Sequence, residues 1–346
     1  MGPSFVEGTS YPTPISTNLD RVQSINYDFS YDRSSLPTLG KGGSVDQPIS
    51  SSPRTSVTIN YQLGSLHNEL ALGFHVTPLG SASKISPIND FAIESNRTYD
   101  RKNLYLATMP EGQDAIGADG NNVESVLSFN DCQVDSYSVN FAVGEIPNGS
   151  VSLVGIDANY YDVDPSFSVP ILNKKTALST SGISVTGVPV AKSQSDTVFV
   201  PGNISVSISN PSSNSTFVDV ANNKVQNFEC NFSVNRTNVD LPGYKITYDK
   251  LLNFPIGGQA SISLIEDGHD SGSLSSLIRH DDEYDINIDI KDGSGAKKMS
   301  YIFLKTKMQN IDSSLSIGDN RLINLNFSYE LDPDNKSKGL FISGQT

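Results

Sequence analysis

The side chains that could bind a metal or act in acid–base chemistry are few and scattered. The chain has four histidines, His67, His75, His269 and His280, and none lies in an H-E-x-x-H motif or beside a cysteine at metal-ligand spacing. The run His280–Glu283 is better explained as a solvated end of a helix that leads into a strand. The sequence therefore predicts no metal site.

Two other clusters of oxygen-bearing side chains, Glu266–Asp270 and Asp332–Asn335, lack the spacing and the closing glutamate of an EF-hand loop. Both are predicted to be turns. The chain contains no G-x-S-x-G, P-loop or G-x-G-x-x-G motif. A Ser/His/Asp triad assembled from distant positions stays open as an alternative, because triads are defined in space. We expect no catalytic residue and no bound cofactor, and we expect that the chain is not an enzyme.

Two cysteines, Cys132 and Cys230, are too few for a disulfide framework or a four-thiolate zinc site. Cys230 falls on the apolar face of an alternating segment, where a thiol behaves as a small hydrophobic group. We expect a buried core thiol there, and a similar role for Cys132.

Length and charge narrow the functional classes. A chain of 346 residues suggests about two domains. With 24 Lys and Arg against 38 Asp and Glu, the net charge of −14 argues against a duplex-binding surface. No apolar run is long enough to span a bilayer, and the segment Met1–Gly8 lacks the features of a signal peptide. The hydrophobic content of 36% favours short strands with one wet face and burial completed by association.

An internal repeat organises the chain. Val22–Leu36 aligns with Val225–Val239 at an offset of 203 residues (225 minus 22), with five identities in fifteen positions. Both segments alternate with period two, which predicts half-buried strands. The residues expected on the apolar faces are Ile25, Tyr27, Phe29 and Tyr31 in one copy and Phe228, Cys230, Phe232 and Val234 in the other.

The order of elements after these strands also repeats. Each copy continues with a long loop, a second strand, a short helix, a hairpin and two more strands. The helix candidates are Ser65–Gly73, with Leu66 and Leu70 on one face, and Ser273–Arg279, with the leading serines as N-caps. Near the end, matching Gln133, Asp135 and Ser136 to Gln309, Asp312 and Ser313 gives offsets of 176 and 177. This register would leave about 27 extra residues in the first copy (203 minus 176), within 76–122.

The predicted fold class is mainly β, with two tandem homologous β-sandwich or barrel domains, each with one short helix and a long hairpin loop. We assign residues 1–161 to the first domain, 162–202 to a decorated connection and 203–346 to the second domain. The segment Asp162–Lys224 has two strand-like pieces, Ile183–Val190 and Ile204–Ile208, and we expect it to hold the connection followed by a leading strand of the second copy. Residues 1–20 are expected to hold the analogous leader.

The long loops are the most informative feature for function. Loops above 12–15 residues without structure are uncommon and usually functional, and here one occurs at the same place in each copy, Ser34–Thr55 and Thr237–Gly258. They are either tolerated insertions or arms that reach a neighbouring subunit. The candidate assembly residues on them are Leu36, Leu39, Lys41, Val45, Ile49, Leu241, Tyr244, Ile246, Tyr248, Leu251 and Phe254.

This pattern resembles a bacteriophage tail tube (major tail) protein with duplicated tube domains. The resemblance rests on Val22–Arg33 with Val225–Arg236, on the two long loops and on the strand order, and it covers nearly the whole chain. It implies β-sandwich domains that close six to a ring, with rings stacked through the long loops. Three copies of a two-domain chain would form such a pseudo-hexameric ring.

The same resemblance implies a virion protein of the tail that is assembled in the host cytoplasm. Its partners would be further copies of itself, a tape measure protein inside the tube, terminator and baseplate proteins at the ends, and a sheath if the tail contracts. DNA would pass through the lumen without specific binding, and no membrane would be involved. Since acidic walls repel phosphate, we expect a bore with net negative charge.

Two alternatives remain open. One is another virion component built on the same domain, such as a distal tail or baseplate-hub protein or a capsid or adhesin module, which would form a single ring. The other is a carbohydrate-binding or hydrolytic β-protein, which a deep pocket with converging acidic groups would favour.

Overall fold

The structure is a computed structural model of the chain. It describes residues 2–3, 19–50, 52–81, 83–92, 101–111, 124–162, 168–170, 182–184, 204–210, 215–218, 224–240, 247, 249–265, 282–292, 294–314, 322–334 and 336–344.

The first half of the chain forms ten strands and two short helices within these residues. The strands are β1 (Gly2–Pro3), β2 (Val22–Ser30), β3 (Leu36–Pro37), β4 (Ser44–Asp46), β5 (Arg54–Gln62), β6 (Thr77–Pro78), β7 (Lys102–Thr108), β8 (Ser125–Ala142), β9 (Asn148–Gly155) and β10 (Asp157–Asp162). The helices are α1 (His67–Leu72) and α2 (Asn89–Ala92).

The described residues of the second half are strands and loops. The strands are β11 (Ser168–Pro170), β12 (Gly182–Ser184), β13 (Ile204–Asn210), β14 (Ser215–Val218), β15 (Lys224–Ser233), β16 (Arg236–Val239), β17 (Asp249–Leu252), β18 (Ile256–Ile265), β19 (Glu283–Lys291), β20 (Lys297–Ser314), β21 (Leu322–Leu331) and β22 (Gly339–Gly344). The helix predicted over Ser273–Arg279 lies outside the described residues.

The predicted mainly-β fold is confirmed. Sixteen of the described strands join one sheet, whose main path runs β19-β20-β21-β18-β15-β8-β9-β5-β2. We call β20, β21, β18 and β15 the second module, and β8, β9, β5 and β2 the first module. The two modules have the same internal order and lie end to end in this path, so β15 of the second module pairs with β8 of the first.

Strand registers repeat between the modules in detail. In the first module Ile25 pairs with Ile59, and in the second Phe228 pairs with Ile262, each 203 positions later. The bulge between Val22 and Ser24 recurs between Val225 and Asn227 at the same offset. Shared bulges are specific features of a strand pair, so this repetition supports an ancestral duplication. The domain boundaries assigned from sequence stay predictions.

The sequence register for the last two strands was wrong. Val134 pairs with Leu153, and Met308 pairs with Phe327, so β8 matches β20 at an offset of 174 (308 minus 134). Gln133 therefore corresponds to Lys307, and the matched identities with Gln309 were fortuitous. The first copy carries 29 extra residues before β8 (203 minus 174). Residue identity misled here because these strand faces are uniformly rich in Ser, Asn and Gln.

The leading strands also occupy equivalent places. The first, β1, pairs with β7, and the predicted leader of the second copy, β13, pairs with β19. Strands β7 and β19 in turn pair with the N-terminal parts of β8 and β20, with bulges at Lys102/Leu104 and Tyr284/Ile286. These bulges place β7 and β19 at an offset of 182 (284 minus 102).

Aromatic side chains fill the core where the modules meet. Phe141 of β8 stacks on Phe228 of β15 with ring centroids 5.7 Å apart, and Phe303 of β20 contacts Phe228 at 6.0 Å. The N-terminal half of β20, which pairs with β19 and β22, thus packs against β8 and β15, while its C-terminal half pairs with β21. A long strand can serve two layers in this way because bulges and left-handed residues bend it.

Helix α1 differs from its prediction in its N-cap residue and in which of its leucines is buried. Its N-cap is Leu66, which makes no side-chain capping hydrogen bond, and the Ser65 hydroxyl lies 3.4 Å from the His67 backbone nitrogen. Leu66 is buried as expected, but Leu70 is exposed. The helix is only six residues long, and its buried residues are Asn68, Glu69 and Leu72. It ends at Gly73, whose left-handed φ of 101° suits glycine.

Candidate assembly interface

The intramolecular seam is the pairing of β15 with β8. It contains seven residue pairs, from Asn227 opposite Ala142 to Ser233 opposite Ser136. On its apolar side Phe228, Cys230 and Phe232 are all buried. The seam therefore shows how the last strand of one module joins the first strand of the next.

The equivalent strand of the first module has no such neighbour among the described residues. Strand β2 pairs with β5 alone, and Tyr27, which corresponds to the fully buried Cys230, is 55% exposed. Tyr27 and Tyr31, which the alternation placed on the apolar face of a half-buried strand, are both exposed in the single chain. Their apolar face lacks the adjoining strand that covers its counterpart in the seam.

The opposite end of the path has a matching open edge. Residues Met308 to Ser314 of β20 pair with β21 on one side, while β19 pairs only as far as Lys307 on the other. In β8 the equivalent edge is the one occupied by β15. Among the described residues, the free edges of β2 and of the C-terminal half of β20 are thus complementary to each other, as the two halves of the seam are.

The first long loop is an exposed hairpin, which we call the first arm (residues 31–50). Its strands β3 and β4 pair through Leu36 and Asp46, and the Ser50 nitrogen donates to the Asp32 carbonyl oxygen at 2.8 Å. All twenty of its residues are exposed. Five predicted assembly residues lie on it: Leu36, Leu39, Lys41, Val45 and Ile49. Four of them are apolar side chains with no cover within the described chain.

The second arm (residues 234–255) has the same internal geometry but a different environment. Its strands β16 and β17 pair Val239 with Asp249, and the Asn253 nitrogen donates to the Asn235 carbonyl oxygen at 3.0 Å, both at the offset of 203. Of its predicted assembly residues, Leu251 and Phe254 are exposed. Leu241, Tyr244, Ile246 and Tyr248 lie outside the described residues.

The base of the second arm packs on the first module. The Lys250 ammonium donates to the Val154 carbonyl oxygen at 2.8 Å and is buried, and burial lowers its pKa. The Arg236 Nε donates to the Val134 carbonyl oxygen at 3.3 Å. The Val234 nitrogen donates to the carbonyl oxygen of Asp135. These contacts join the second arm to β8 and β9, next to the end of the pairing between β15 and β8.

A charge cluster completes this contact. The Arg101 guanidinium lies 3.5 Å from Asp131 of the first module and also pairs with Asp249 of the second arm. Arg101 and Asp131 are largely shielded from water. One cation therefore holds two carboxylates from different modules. We call Arg101, Asp131, Asp135 and Val154 the occupied arm site.

The sheet face opposite the core is polar across both modules. Cross-strand hydrogen bonds line it, including Thr58 with Ser152 at 3.0 Å and Ser263 with Asn324 at 2.7 Å. Its other strand positions are mostly Ser, Asn and Gln. In its middle the charged residues are Asp28, Glu229 and Asp312, while Arg54, Lys307 and Glu330 lie at the end nearest the arms. The described central part of this face is therefore acidic.

A buried carboxyl group ties helix α1 to both modules. Glu69 Oε1 accepts hydrogen bonds from the Tyr61 hydroxyl at 2.7 Å and the Tyr137 hydroxyl at 3.2 Å. The hydroxyls of Tyr137 and Tyr301 are 3.1 Å apart. Burial raises the pKa of Glu69 to about 7, against the hydrogen bonds from the tyrosines, which lower it. This network connects β5, β8 and β20.

The described residues contain no group of three or more His, Cys, Asp and Glu side chains arranged to hold a metal ion. His269, His280 and Glu266–Asp270 lie outside them. The turn predicted at Asp332 is confirmed, with its carboxylate accepting from the Asp334 nitrogen at 3.1 Å. Cys132 and Cys230 are free and buried, and burial raises the pKa of both thiols, to about 12 for Cys132. In the described part of the chain no helix has the length and apolarity needed to cross a bilayer.

Sequence reasoning missed the residues that join the modules. Arg33 and Arg236 were visible as an identity in the repeat, and a repeated arginine at the base of both loops was the available signal. Arg101, Asp131 and Lys250 gave no signal, because their contacts depend on which strands become neighbours.

Comparison with known proteins gives little further guidance. No family model and no curated protein sequence matches the chain. Among solved structures, the chain is similar to one from the cryo-EM structure of the anti-feeding prophage (AFP) baseplate, 6-fold symmetrised. The identity is 9% and the TM-score 0.32, with 45% of this chain and 97% of that chain covered. A TM-score of 0.32 supports no argument about function. The functional proposal therefore rests on the interface geometry.

Proposed function

We propose that the chain is a structural virion protein that forms stacked pseudo-hexameric rings of three copies, which build a tail tube for phage DNA. The observation that carries this proposal is the seam. One chain joins two like modules head to tail, and among the described residues the free edges of β2 and β20 have the same relationship as the joined ones. Repeating the seam between copies removes both edges.

The register of the seam specifies the contact between copies. Applying the offsets of 203 and 174 to the seam pairs places Tyr27 opposite Ser313 and Phe29 opposite Ile311 of the next copy. Tyr27 and Phe29 would then be covered as Cys230 and Phe232 are. A heterologous contact of this kind closes into a ring when its rotation permits. The number of three copies comes from the resemblance to tail tube proteins.

The first arm supplies a reason for rings to stack. Its exposed apolar residues, among them Leu36, Leu39 and Val45, would be covered by a neighbouring ring. The acidic middle of the polar face would line the bore and repel the DNA backbone, so that DNA passes without being held. Tape measure, terminator and baseplate proteins, and a sheath if the tail contracts, would be its partners in the virion. The proposal includes no enzymatic role and no cofactor.

Electron microscopy of the purified full chain tests the proposal. We expect hollow tubes, or rings at low protein concentration. Single rings that never stack would favour the distal tail or baseplate-hub alternative, which uses the same seam without the stacking contact. A monomer at every concentration and salt condition would contradict both.

A further inference from the structure

An open groove of about 590 Å³ lies beside the unpaired edge of β20. Its lining includes Glu283, Lys305, Gln309 and Ser328. The groove runs over the ends of β15, β18, β21 and β20 nearest the arms, and Glu283 of β19 also lines it. No described residue of the first arm lines it.

The groove is the unfilled counterpart of the occupied arm site. The offset of 174 takes Asp131 to Lys305, Asp135 to Gln309 and Val154 to Ser328. The offset of 182 takes Arg101 to Glu283. All four residues of the occupied arm site therefore have their equivalents in the lining of one groove.

We propose that this groove binds the base of the first arm of the next copy. The inference rests on the proposed ring and names the contact that locks it. Measured along the sheet, β2, which leads into the first arm, lies seven strand spacings from the β20 residues of the groove in its own chain, roughly 34 Å at about 4.8 Å per strand. A second copy, joined at the β2 edge, brings its own groove to that arm.

The backbone contacts of this site follow from the second arm. Arg33, the equivalent of Arg236, donates to the Met308 carbonyl oxygen of the next copy. The Tyr31 nitrogen donates to the carbonyl oxygen of Gln309 there, as the Val234 nitrogen does to Asp135. Gln47 replaces Lys250 and offers an amide donor to the Ser328 carbonyl. The two arms are pre-shaped alike, since Asp46 accepts from the Gln47 nitrogen at 2.8 Å and Asp249 from the Lys250 nitrogen at 2.9 Å.

The three-residue charge cluster keeps one cation and two carboxylates, although the cation has moved. In the occupied arm site Arg101 holds Asp131 and Asp249. In the groove the corresponding three residues are Glu283, Lys305 and Asp46 of the arriving arm, so Lys305 becomes the cation between two carboxylates. The other charged residues lining the groove are Lys307, Glu330 and Lys338, and Lys338 pairs with Glu330 at 2.6 Å. Lys305 therefore attracts Asp46 of the arriving arm as well as Glu283 of its own chain, and this attraction holds the arm in the groove.

Charge reversal tests this assignment. K305E would place three carboxylates together and should raise the protein concentration for half-maximal ring formation at least about ten-fold. D46K leaves two cations and one carboxylate and should raise it less, by roughly three-fold. The double variant K305E/D46K restores one cation between two acids and should return to within about two-fold of the original protein.

Ring formation is measured by sedimentation velocity, and circular dichroism checks that each variant is folded. K84E, the same charge change in the loop between β6 and α2, is the matched control and should assemble normally. Rings that form equally well in K305E and the original protein, or a double variant as defective as K305E, would overturn the groove assignment. Failure of the original protein to form rings in any condition would instead reject the proposed function.

Discussion

Asp131 and Lys305 share one backbone conformation, with left-handed φ angles of 52° and 54°. They are 174 positions apart and occupy the same place in β8 and β20, three residues before the bulge in each strand. Non-glycine residues rarely adopt this conformation, so its recurrence at equivalent sites is a specific trace of duplication. The side chains have opposite charge, and that difference would distinguish the joint within the chain from the proposed joint between copies.

The unpaired β2 edge gives the first prediction. Y27R places a charge where the seam equivalent is fully buried, so we expect ring formation to be lost. Tyr27 is already half exposed in the single chain, and the thermal stability of the monomer should change little. Light scattering after size-exclusion chromatography measures the mass. Y160R, a matched change at another exposed tyrosine, should leave assembly intact.

The proposed seam between copies would also contain a like-charge pair. Its register sets Asp28 opposite Asp312, whereas the intramolecular seam has Asn231 opposite Ser138 at this position. Directly opposed carboxylates repel across a strand pair. Salt screens this repulsion and the attraction at Lys305 alike, so the charges at positions 28 and 312 have to be changed to separate the two effects.

Charge reversal at Asp28 and Asp312 tests directly whether these two side chains lie opposite each other. D28K and D312K should each promote ring formation at low salt, by roughly five-fold in concentration. The double variant D28K/D312K restores repulsion and should lose that gain. Sedimentation at two salt concentrations measures this pattern, and additive gains in the double variant would contradict the register.

The buried Glu69 makes stability depend on pH. Its pKa is about 7 in the folded chain and about 4.5 when exposed, so the folded state retains a proton that the unfolded state loses. Its contribution to the free energy of unfolding is full below about pH 4.5 and declines as pH rises to about 7, by about 3 kcal/mol in total.

Comparison of the original chain with E69Q isolates this effect, because the contributions of the other titrating groups to the free energy of unfolding are the same in both proteins and cancel in the difference. Denaturant unfolding at pH 4.5 and 7 should show the stability of the original chain falling relative to E69Q. A constant difference between the two proteins across this range would show that Glu69 does not titrate there.

Substitutions in the first arm should separate the stacking of rings from the closure of a ring. Replacing Leu36, Leu39 and Val45 together by serine should leave the fold unchanged, since all three are exposed, and should prevent tubes while rings persist. Electron microscopy distinguishes the two states. Tubes of normal length from this variant would remove the first arm from the stacking contact.

Much of the fold could be predicted because the repeat and period-two alternation are local signals. The offset of 203 and strands such as β19 and β21 follow from residue pattern alone. The later offset was wrong because polar strand faces of Ser, Asn and Gln carry little register information. The seam could not be predicted, since burial of Phe228 and exposure of Tyr27 depend on which strand lies alongside each.

The central claim is that the intramolecular seam repeats between copies, and a disulfide across the new seam tests it most directly. Cysteines at positions 28 and 312 would lie directly opposite each other, within reach of a bond after modest adjustment. Oxidised D28C/D312C should contain a covalent species of three chains, while D28C alone gives none and Cys132 and Cys230 stay buried. Mass measurement of D28C/D312C that finds only single chains after oxidation would contradict the account.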